Sequence, residues 1–580
     1  MDKKELKNLI DTAAGRVPAD LVIRNGIIAD VYSGGFIEGD LALSGGLIAA
    51  LGEKGSYEGR ETLDAGGLYV LPGYIDSHIH IESSFLSPSE LARLLIPLGT
   101  AALIADPHEI VNVRGMAGFD YMLRAAEGLP LDIKFMAPSC VPATAFENAG
   151  AVLDAEDLRF PLENERVLGL GEMMDYEGLI RGDEKILAKI LLALEKDKLI
   201  DGHSPGLSGK GLNAYMAGFI HTEHECSSPE EMRERLSRGM YIMLRQGSAC
   251  RDLRRLLPAV TRENSRRCLL CSDDCQAGTI LEEGHIDKDL RICVEEGLDP
   301  MTAIRMATLN PAECFGLDDR GGLAPGKRAD LVLVKDLREF KAQRVFLRGV
   351  LAAREGVCLL PLPQADSGTV RGSMGVRDFS PERLKLPLSS DQVWVIDLKA
   401  GTVVTGKGRA RVNRNGAGCF RYDPSLDVVK IAVVERHKNT GNVGLGLLRG
   451  YGIKRGAAAL SVSHDSHNII AAGTGDADMA AAVERLIVLG GGAVLARDGK
   501  ILEDLPLPLG GLMSDLGGGE VAAKLASLKE KAVRELGINA DLEPLMSLCF
   551  MSLLVIPELK ISDRGLFDAG AFKFIDIEAD

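Results

Sequence analysis

Two glycine-rich segments with the character of short β-strands stand far apart in the chain. They cover residues 20–66 and 329–359, and glycines fall where tight hairpin turns require them. We expect both segments to form one small β-sandwich domain, assembled from residues 1–67 and 317–365. Residues 68–316 are then an insertion of about 250 residues, which is the usual size of a (β/α)8 barrel.

The inserted residues alternate between short apolar runs and amphipathic helical patterns. A helix is predicted over residues 183–198, and strands are predicted over residues 100–107, 132–139, 167–173, 241–247 and 267–274. Strands that alternate with helices are typical of parallel βα units, so the predicted fold class is α/β. These five runs locate part of the barrel wall.

The character of the sequence changes near residue 370, after a polar linker that is rich in turn residues. The residues that follow include strand-like runs such as VWVIDL and VVKIAVVER, and an alanine-rich helical pattern near residues 476–488. We therefore predict a separate C-terminal α/β domain over residues 375–580.

Charge and composition limit the classes of partner. The chain has 580 residues and a net charge of −16, which disfavours binding to a nucleic-acid backbone. No stretch approaches the roughly 18 apolar residues that span a bilayer, and no secretory signal is recognisable. The 11 scattered cysteines are typical of reduced thiols. We expect a cytoplasmic protein that acts on a small molecule, without nucleic acid or membrane as a partner.

The motif PGYIDSHIHIES at residues 72–83 is the strongest chemical signal. An apolar strand ends in His78 and His80, and residues two apart on a strand point the same way. Both imidazoles can therefore reach one point at the carboxyl end of the strand, where barrel enzymes keep their active sites. Asp76 lies two residues earlier on the same face. This arrangement favours a metal site.

Further candidate ligands end later apolar runs. These are Glu172, His203, His221, His224, Asp273 and Asp274. Each has an alternative role, because a buried carboxylate can pair with arginine and a pair of aspartates often caps a helix. Their shared position after an H-x-H motif favours metal binding. Nitrogen and oxygen ligands suit Zn(II), Fe(II) or Mn(II), and their number suggests two metal ions bridged by a carboxylate.

Three other motifs stand near apolar runs. His108 and Glu109 follow a predicted strand, where they would line the pocket mouth or begin a helix capped by Asp106. The SHDSHN motif at residues 463–468 would cover the site, hold a domain interface or bind a separate metal; its polar members are His464, Asp465, His467 and Asn468. The remaining motif comprises Cys268, Cys271 and Cys275. Buried thiols in the barrel wall are favoured there over an iron–sulfur or zinc site.

These motifs together resemble the amidohydrolase superfamily. The segment at residues 297–334 resembles the closing helix of that superfamily and its return to the β-domain. A finer resemblance is to the adenine deaminase family. It is carried by DPHEIVNVRG, GLGEMMDY, DGHSPGLSGKGLNAYMAGF and HTEHE in the barrel, and by HKNTGNVGLGLLRGYGIKRGA, SVSHDSHNI and LPLPLGGLMS in the C-terminal region.

The resemblance implies a role for each candidate ligand. His78 and His80 would hold the more buried metal, and Glu172 would bridge both metals where many relatives use a carboxylated lysine. His203 would bind the second metal. His224, preferred over His221, would contact the metal or polarise the reacting group. Asp273, preferred over Asp274, would bind metal and carry the proton.

The implied reaction is hydrolytic deamination of adenine in purine salvage. A metal-activated hydroxide would attack C6 and release ammonia and hypoxanthine, with Asp273, His224 and Glu172 as the catalytic residues. His108, Glu109, Asp274, His464 and His467 would contact the substrate. The resemblance implies two Mn(II) or Fe(II) ions, Zn(II) also suiting the ligands, and self-association into a homo-oligomer. Two alternatives are a cyclic amidohydrolase of the dihydroorotase or hydantoinase type, and a non-catalytic metal- or purine-binding protein.

Overall fold

The computed structural model describes residues 1–248 and 250–579. The chain begins with helix α1 (Lys3–Ala13), whose first turn is capped by Asp2. Five strands follow, in which glycines allow tight turns: β1 (Ala19–Asp30), β2 (Gly35–Ser44), β3 (Leu47–Gly52), β4 (Gly59–Asp64) and β5 (Tyr69–Pro72). They form part of one mixed sheet in which β1 contacts β2, β4 and β5.

A barrel of parallel strands follows. Its strands are β6 (Tyr74–Ile79), β7 (Thr100–Ala105), β8 (Asp132–Ala137), β9 (Val167–Met173), β10 (Leu199–Gly202), β11 (Thr222–Glu223), β12 (Tyr241–Arg245) and β13 (Cys268–Cys271). Backbone hydrogen bonds link β6 to β10 in order and β11 to β13 in order. The two arcs meet where His221 N–H donates to the Ile200 carbonyl at 2.9 Å and Asp273 N–H donates to the His78 carbonyl at 2.9 Å.

The predicted barrel is thereby confirmed, since within the described residues eight parallel strands close in sequence order. The five apolar runs correspond to β7, β8, β9, β12 and β13. Strands β10 and β11 escaped prediction because runs of four and two residues are too short to show a period.

Helices cover the barrel and connect its strands. They are α2 (Pro88–Leu95), α3 (His108–Arg114), α4 (Met116–Ala125), α5 (Tyr176–Arg181), α6 (Glu184–Glu195), α7 (Gly209–Ala217), α8 (Pro229–Ser237), α9 (Leu253–Leu256), α10 (Ala277–Glu283), α11 (Ile286–Glu295), α12 (Pro300–Ala307) and α13 (Leu309–Cys314). Helix α6 confirms the helix predicted over residues 183–198, and Asp183 caps it by accepting backbone hydrogen bonds. Among the described residues, no helix has both the length and the apolar character that crossing a bilayer requires.

After the barrel the chain returns to the first sheet. The returning strands are β14 (Leu331–Val334), β15 (Ala342–Leu347), β16 (Val350–Arg354) and β17 (Val357–Cys358). Strand β14 pairs antiparallel with β5, so residues before and after the barrel share one sheet. The exact domain limits at 1–67 with 317–365, 68–316 and 375–580 stay predictions.

The C-terminal residues form a second mixed α/β unit. Its strands are β18 (Gln392–Asp397), β19 (Gly406–Arg411), β20 (Asn413–Arg414), β21 (Phe420–Arg421), β22 (Val428–Val434), β23 (Val443–Arg449), β24 (Ala457–Leu460), β25 (Ile469–Gly473), β26 (Gly492–Arg497), β27 (Lys500–Pro506), β28 (Leu559–Ser562), β29 (Gly565–Asp568) and β30 (Lys573–Phe574). Its helices are α14 (Asp476–Leu489), which confirms the predicted alanine-rich helix, α15 (Gly518–Lys531) and α16 (Pro544–Cys549).

A barrel loop fastens the C-terminal unit over the carboxyl ends of the barrel strands. Phe146, in the loop after β8, packs against the rings of Phe567, Phe572 and Phe574 at centroid distances of 4.9, 5.2 and 5.8 Å. The backbone carbonyl of Asn148 accepts a hydrogen bond from the Asn468 amide at 2.8 Å, which holds the loop between β24 and β25 at the barrel mouth.

Candidate metal centre

His78 and His80 end strand β6 with their Nε2 atoms 3.2 Å apart, and both residues are buried. His80 Nδ1–H donates to the Asp106 carbonyl oxygen at 2.9 Å, which leaves the Nε2 lone pair free. His78 Nδ1 faces Asp201 Oδ2 at 3.3 Å, which orients that ring in the same way. Two imidazole lone pairs that converge at this distance favour a shared cation.

Glu172, at the end of β9, faces four imidazoles with its two oxygens. Oε1 lies 3.3 Å from His80 Nε2 and 3.3 Å from His108 Nδ1. Oε2 lies 2.6 Å from His203 Nδ1 and 3.2 Å from His224 Nε2. Burial raises the pKa of the Glu172 carboxyl, but the surrounding imidazoles outweigh burial and hold that pKa well below its ordinary value. Each oxygen thus serves a different set of nitrogens, as a bridging carboxylate does.

Asp273, directly after β13, places its Oδ1 3.3 Å from His80 Nε2 and 3.8 Å from His78 Nε2. Its backbone φ is 56°, in the left-handed region that aspartate tolerates better than most residues. Arg245 Nη1 donates to the other oxygen, Oδ2, at 2.9 Å. Arg245 therefore holds Oδ2, while Oδ1 faces the histidines.

His203 and His224 complete the opposite side of the centre. The His224 ring stacks on the His78 ring with centroids 4.1 Å apart and planes inclined by 18°. His221 lies instead beside the Tyr241 ring, where its backbone joins the two arcs of the barrel. Of the two candidate histidines in HTEHEC, the structure places only His224 against Glu172.

Asp76 and His108 hold positions that neighbouring elements impose. Asp76 accepts backbone hydrogen bonds from His78 and Ser272, and it lies 2.9 Å from His285 Nε2. It therefore supports the candidate metal ligand His78 from behind. Helix α3 begins at His108, but Asp106 accepts the Glu172 N–H instead of capping that helix. His108 both begins the helix and lines the cavity.

A second polar group lies beside the first. Ser83 Oγ is within hydrogen-bond distance of both Glu109 Oε1, at 2.9 Å, and Asp274 Oδ1, at 2.5 Å. His464 Nδ1 lies 3.9 Å from Glu109 Oε1, and His467 Nε2 lies 3.9 Å from Glu109 Oε2. The SHDSHN motif thus meets the barrel at Glu109.

The centre opens into a small cavity that both units of the chain line. The barrel supplies the polar floor, and the C-terminal unit supplies an apolar wall. That wall consists of Val403, Phe550, Leu553 and Ile556.

Sequence comparison places the chain among known proteins. Residues 69–352 match the family described as "Amidohydrolase family", and residues 402–573 match the "Adenine deaminase C-terminal domain". "Adenine deaminase 2" of Desulfotalea psychrophila is 55% identical over 579 residues, which cover 100% of both chains. The chain belongs to the adenine deaminase family. "Adenine deaminase" of Nitratidesulfovibrio vulgaris is 50% identical over 572 residues, 99% of each chain, and that of Ligilactobacillus salivarius is 48% identical over 580 residues, 100% of each.

The donor set in this member of the adenine deaminase family fits divalent metal ions. Among the described residues, triads of potential ligands share Glu172, namely His78–Glu172–His224 and His80–His108–Glu172, beside His78–His80–Asp273 and His203–His224–Glu225. Burial lowers the pKa of the His224 imidazole, but Glu172 and its fellow carboxylates outweigh burial and raise it to about 10. The carboxylates therefore require compensating positive charge, which divalent cations also provide.

The sequence analysis missed Arg245 as a site residue of this adenine deaminase family member. Arg245 ends β12 and pairs with Glu225 in a two-point contact, with Nη2 donating to Oε2 at 3.0 Å. It ends an apolar run as the candidate metal ligands do, but arginine is not a metal-ligating residue type, so its position alone gave no signal. Cys250 and the residues of the apolar wall also line the cavity, but they belong to no recognisable sequence motif.

The cysteine motif gives no sign of a cluster. Cys268, Cys271 and Cys275 are free and buried, and burial raises the pKa of each thiol. None of the candidate metal-binding groups among the described residues includes a cysteine. Their placement in and after β13 agrees with thiols of the barrel wall.

Proposed function

We propose that this protein hydrolyses adenine to hypoxanthine and ammonia at the centre built around Glu172. The observation that carries the proposal is full-length similarity to adenine deaminases, at 55% identity for the relative from Desulfotalea psychrophila. The site alone would serve many hydrolyses, because imidazoles and carboxylates around two metals suit several leaving groups.

The residues at the centre would hold two divalent ions. His78, His80 and Asp273 would bind one ion, His203 and His224 would bind the other, and Glu172 would bridge them. Bound there, the ions would lower the pKa of water enough to supply hydroxide near neutral pH. Nitrogen and oxygen donors without thiolates suit Mn(II) and Fe(II), and Zn(II) as well.

Asp273 is the proposed proton carrier. In the reaction, the oxygen of water adds to C6 of adenine, the C6–N6 bond then breaks, and the amine leaves as ammonia. Asp273 would accept the proton from the attacking water and return it to the departing amine. Arg245 fixes one oxygen of Asp273, which keeps the carboxylate oriented toward the reacting centre. His224 would stabilise charge that develops at C6.

Substrate contacts come from the second polar group. We propose that His108, Asp274 and His464 contact the ring of adenine and that Glu109 and His467 support them. His108, Asp274 and His464 line the cavity, while Glu109 and His467 stand behind them. Their mixture of donors and acceptors matches a purine, which alternates both along its edges.

The test is to supply metal-replete protein with adenine and to measure ammonia and hypoxanthine. We expect equal amounts of both. Hydrolysis of a dihydropyrimidine or a hydantoin, with no product from adenine, would establish the cyclic amidohydrolase alternative. Tight adenine binding without any turnover would establish a binding protein. Asp498→Asn should be as active as wild type, because that side chain is 87% exposed and does not line the cavity.

Two further expectations complete the proposal. We propose that the protein works in the cytoplasm, where reduced thiols persist. We also propose that it forms a homo-oligomer, whose mass gel filtration coupled to light scattering would measure.

A further inference from the structure

His464 and Asp465 reach the catalytic cavity from the C-terminal unit. They lie in the loop between β24 and β25, and both line the cavity. Each side chain is only 4% exposed. The Asn468 amide ties this loop to the barrel through the Asn148 carbonyl. The loop is therefore a fixed part of the wall.

Both residues present unsatisfied polar atoms. Among the described residues, Asp465 Oδ2 and His464 Nε2 are buried and have no hydrogen-bond partner. Asp465 Oδ1 lies 3.7 Å from His108 Nε2 and 3.7 Å from His464 Nδ1, which is too long for a direct hydrogen bond. Unpartnered buried polar atoms are unfavourable and call for a ligand or water.

The orientation of His464 is fixed by stacking. Its ring lies on the Phe550 ring with centroids 4.6 Å apart and planes inclined by 9°. Lys560 Nζ donates to the Phe550 carbonyl at 2.9 Å, which holds the segment that carries this ring. A ring held in this way presents its free nitrogen at a constant position.

The hydrogen bonding of His467 argues against a separate metal at Glu109, His464 and His467. His467 Nδ1 accepts the Ser463 N–H at 3.2 Å, so Nε2 carries the hydrogen of a neutral ring. That Nε2–H lies 3.9 Å from Glu109 Oε2, beyond direct hydrogen-bond distance, and it presents a hydrogen where a metal ligand needs a lone pair. His467 in this form is therefore not suited to bind a metal beside Glu109.

The position of the pair relative to Glu172 suggests what it recognises. The His108 ring lies between Glu172 and Asp465. Its Nδ1 is 3.3 Å from Glu172 Oε1, and its Nε2 is 3.7 Å from Asp465 Oδ1. A purine whose C6 lies at Glu172 would place its opposite edge near this pair. That edge of free adenine carries the acceptor N3 beside the donor N9–H.

We propose that Asp465 and His464 recognise the N3/N9–H edge of the free base, an inference that rests on the proposed function. Asp465 accepts the N9–H hydrogen, and His464 donates to N3. A substituent on N9 removes the hydrogen and leaves Asp465 buried without a partner. The pair therefore discriminates free adenine from N9-substituted adenines.

The experiment pairs enzyme variants with substrate analogues. Wild type, Asp465→Asn and His464→Phe are compared on adenine, 9-methyladenine and 3-deazaadenine, by kcat/KM and by calorimetric Kd. We expect wild type to prefer adenine over each analogue by about tenfold to a hundredfold. Asp465→Asn should reduce only the 9-methyl preference, and His464→Phe should reduce only the 3-deaza preference. Asp498→Asn should keep both preferences.

Equal losses on all three compounds in either variant would overturn the proposal, because a merely structural role lowers activity without changing selectivity. A wild type that accepts 9-methyladenine as well as adenine would also overturn it. If wild type fails to deaminate adenine, the proposed function is wrong, and the Kd ratios still decide the recognition. A metal ion that is lost only from the His464 variant would instead establish a third metal site.

Discussion

Glu172 is the residue on which the centre depends most, because its two oxygens face His80 and His108 on one side and His203 and His224 on the other. A carboxylate can share two cations in this position, whereas a neutral amide offers one good acceptor. We therefore expect the identity of this single side chain to control the number of bound ions.

We predict that Glu172→Gln binds fewer than two metal ions per chain and loses at least about a hundredfold in kcat. Metal analysis by mass spectrometry after dialysis, together with the rate of ammonia release, measures both effects. Glu177→Gln is the matched control, because Glu177 is exposed at the start of α5. Two ions and normal turnover in Glu172→Gln would show that Glu172 is not a bridge.

Asp273→Asn should separate binding from chemistry. Asparagine keeps the shape of the side chain and its contact with Arg245, but it cannot accept the proton. We expect kcat to fall by about a hundredfold to ten-thousandfold with a small change in the Kd of adenine. Unchanged turnover would remove Asp273 from the role of proton carrier.

Single residues were predictable only where they follow the rules of strand geometry. His78 and His80 stand two apart at the end of a strand, and Glu172 and Asp273 end later strands. Nothing in the local sequence brings Arg245 to Asp273, or Phe550 to the cavity. Those contacts arise from tertiary packing between segments that lie far apart in sequence.

At the scale of elements, the loop that carries Phe146 joins the barrel to the C-terminal unit. The ring is half-buried among three phenylalanines, and Asn148 and Asp563 hydrogen-bond beside it.

We predict that Phe146→Ala lowers the free energy of unfolding by about 2 kcal/mol and raises the KM for adenine. Denaturant unfolding and steady-state kinetics measure these effects. The control is Phe160→Ala, because the Phe160 ring is 76% exposed; it should change neither the unfolding free energy nor the KM. If Phe146→Ala also leaves both unchanged, Phe146 does not hold the C-terminal unit to the barrel.

Lys560, in β28, should make stability depend on pH. Burial lowers the pKa of its ammonium from 10.5 to about 7, and Nζ donates to the carbonyls of Val403 and Phe550. Between these two values the unfolded chain binds more protons than the folded chain, so this residue makes stability rise with pH.

We predict that the unfolding free energy of wild type, relative to Lys560→Met, rises with pH by up to about 1.4 kcal/mol per unit between about pH 7 and pH 10. Urea unfolding of both proteins near pH 7 and near pH 9 measures the difference. A difference that is the same at both values would mean that Lys560 titrates normally in the folded protein.

Helices and strands could be predicted where they are long enough to show a periodic pattern of apolar residues. Helix α6 and strands such as β9 show clear patterns, whereas β10 and β11, with four and two residues, are too short for an alternation to stand out. The closure of the barrel at Ile200 and His78 depends on hydrogen bonds across the seams, which no local pattern records.

At the scale of the whole molecule, the barrel provides the candidate metal ligands and the C-terminal unit lines the cavity beside them. The sheet shared by β5 and β14 explains why a barrel can be inserted between two distant β segments, since its ends return to neighbouring strands. Two separated glycine-rich segments predict such an insertion, and the pairing of β5 with β14 agrees with it. The SHDSHN motif predicted that the C-terminal unit reaches the site, but no motif indicated its apolar wall of Val403, Phe550, Leu553 and Ile556.

The central claim is that adenine deamination depends on two divalent ions held around Glu172. The most direct measurement is to remove metal with a chelator, titrate Mn(II) back into the protein, and follow hypoxanthine formation against bound metal. The account predicts negligible turnover without metal and full turnover when two ions are bound per chain. Full turnover of adenine by metal-free protein would contradict it.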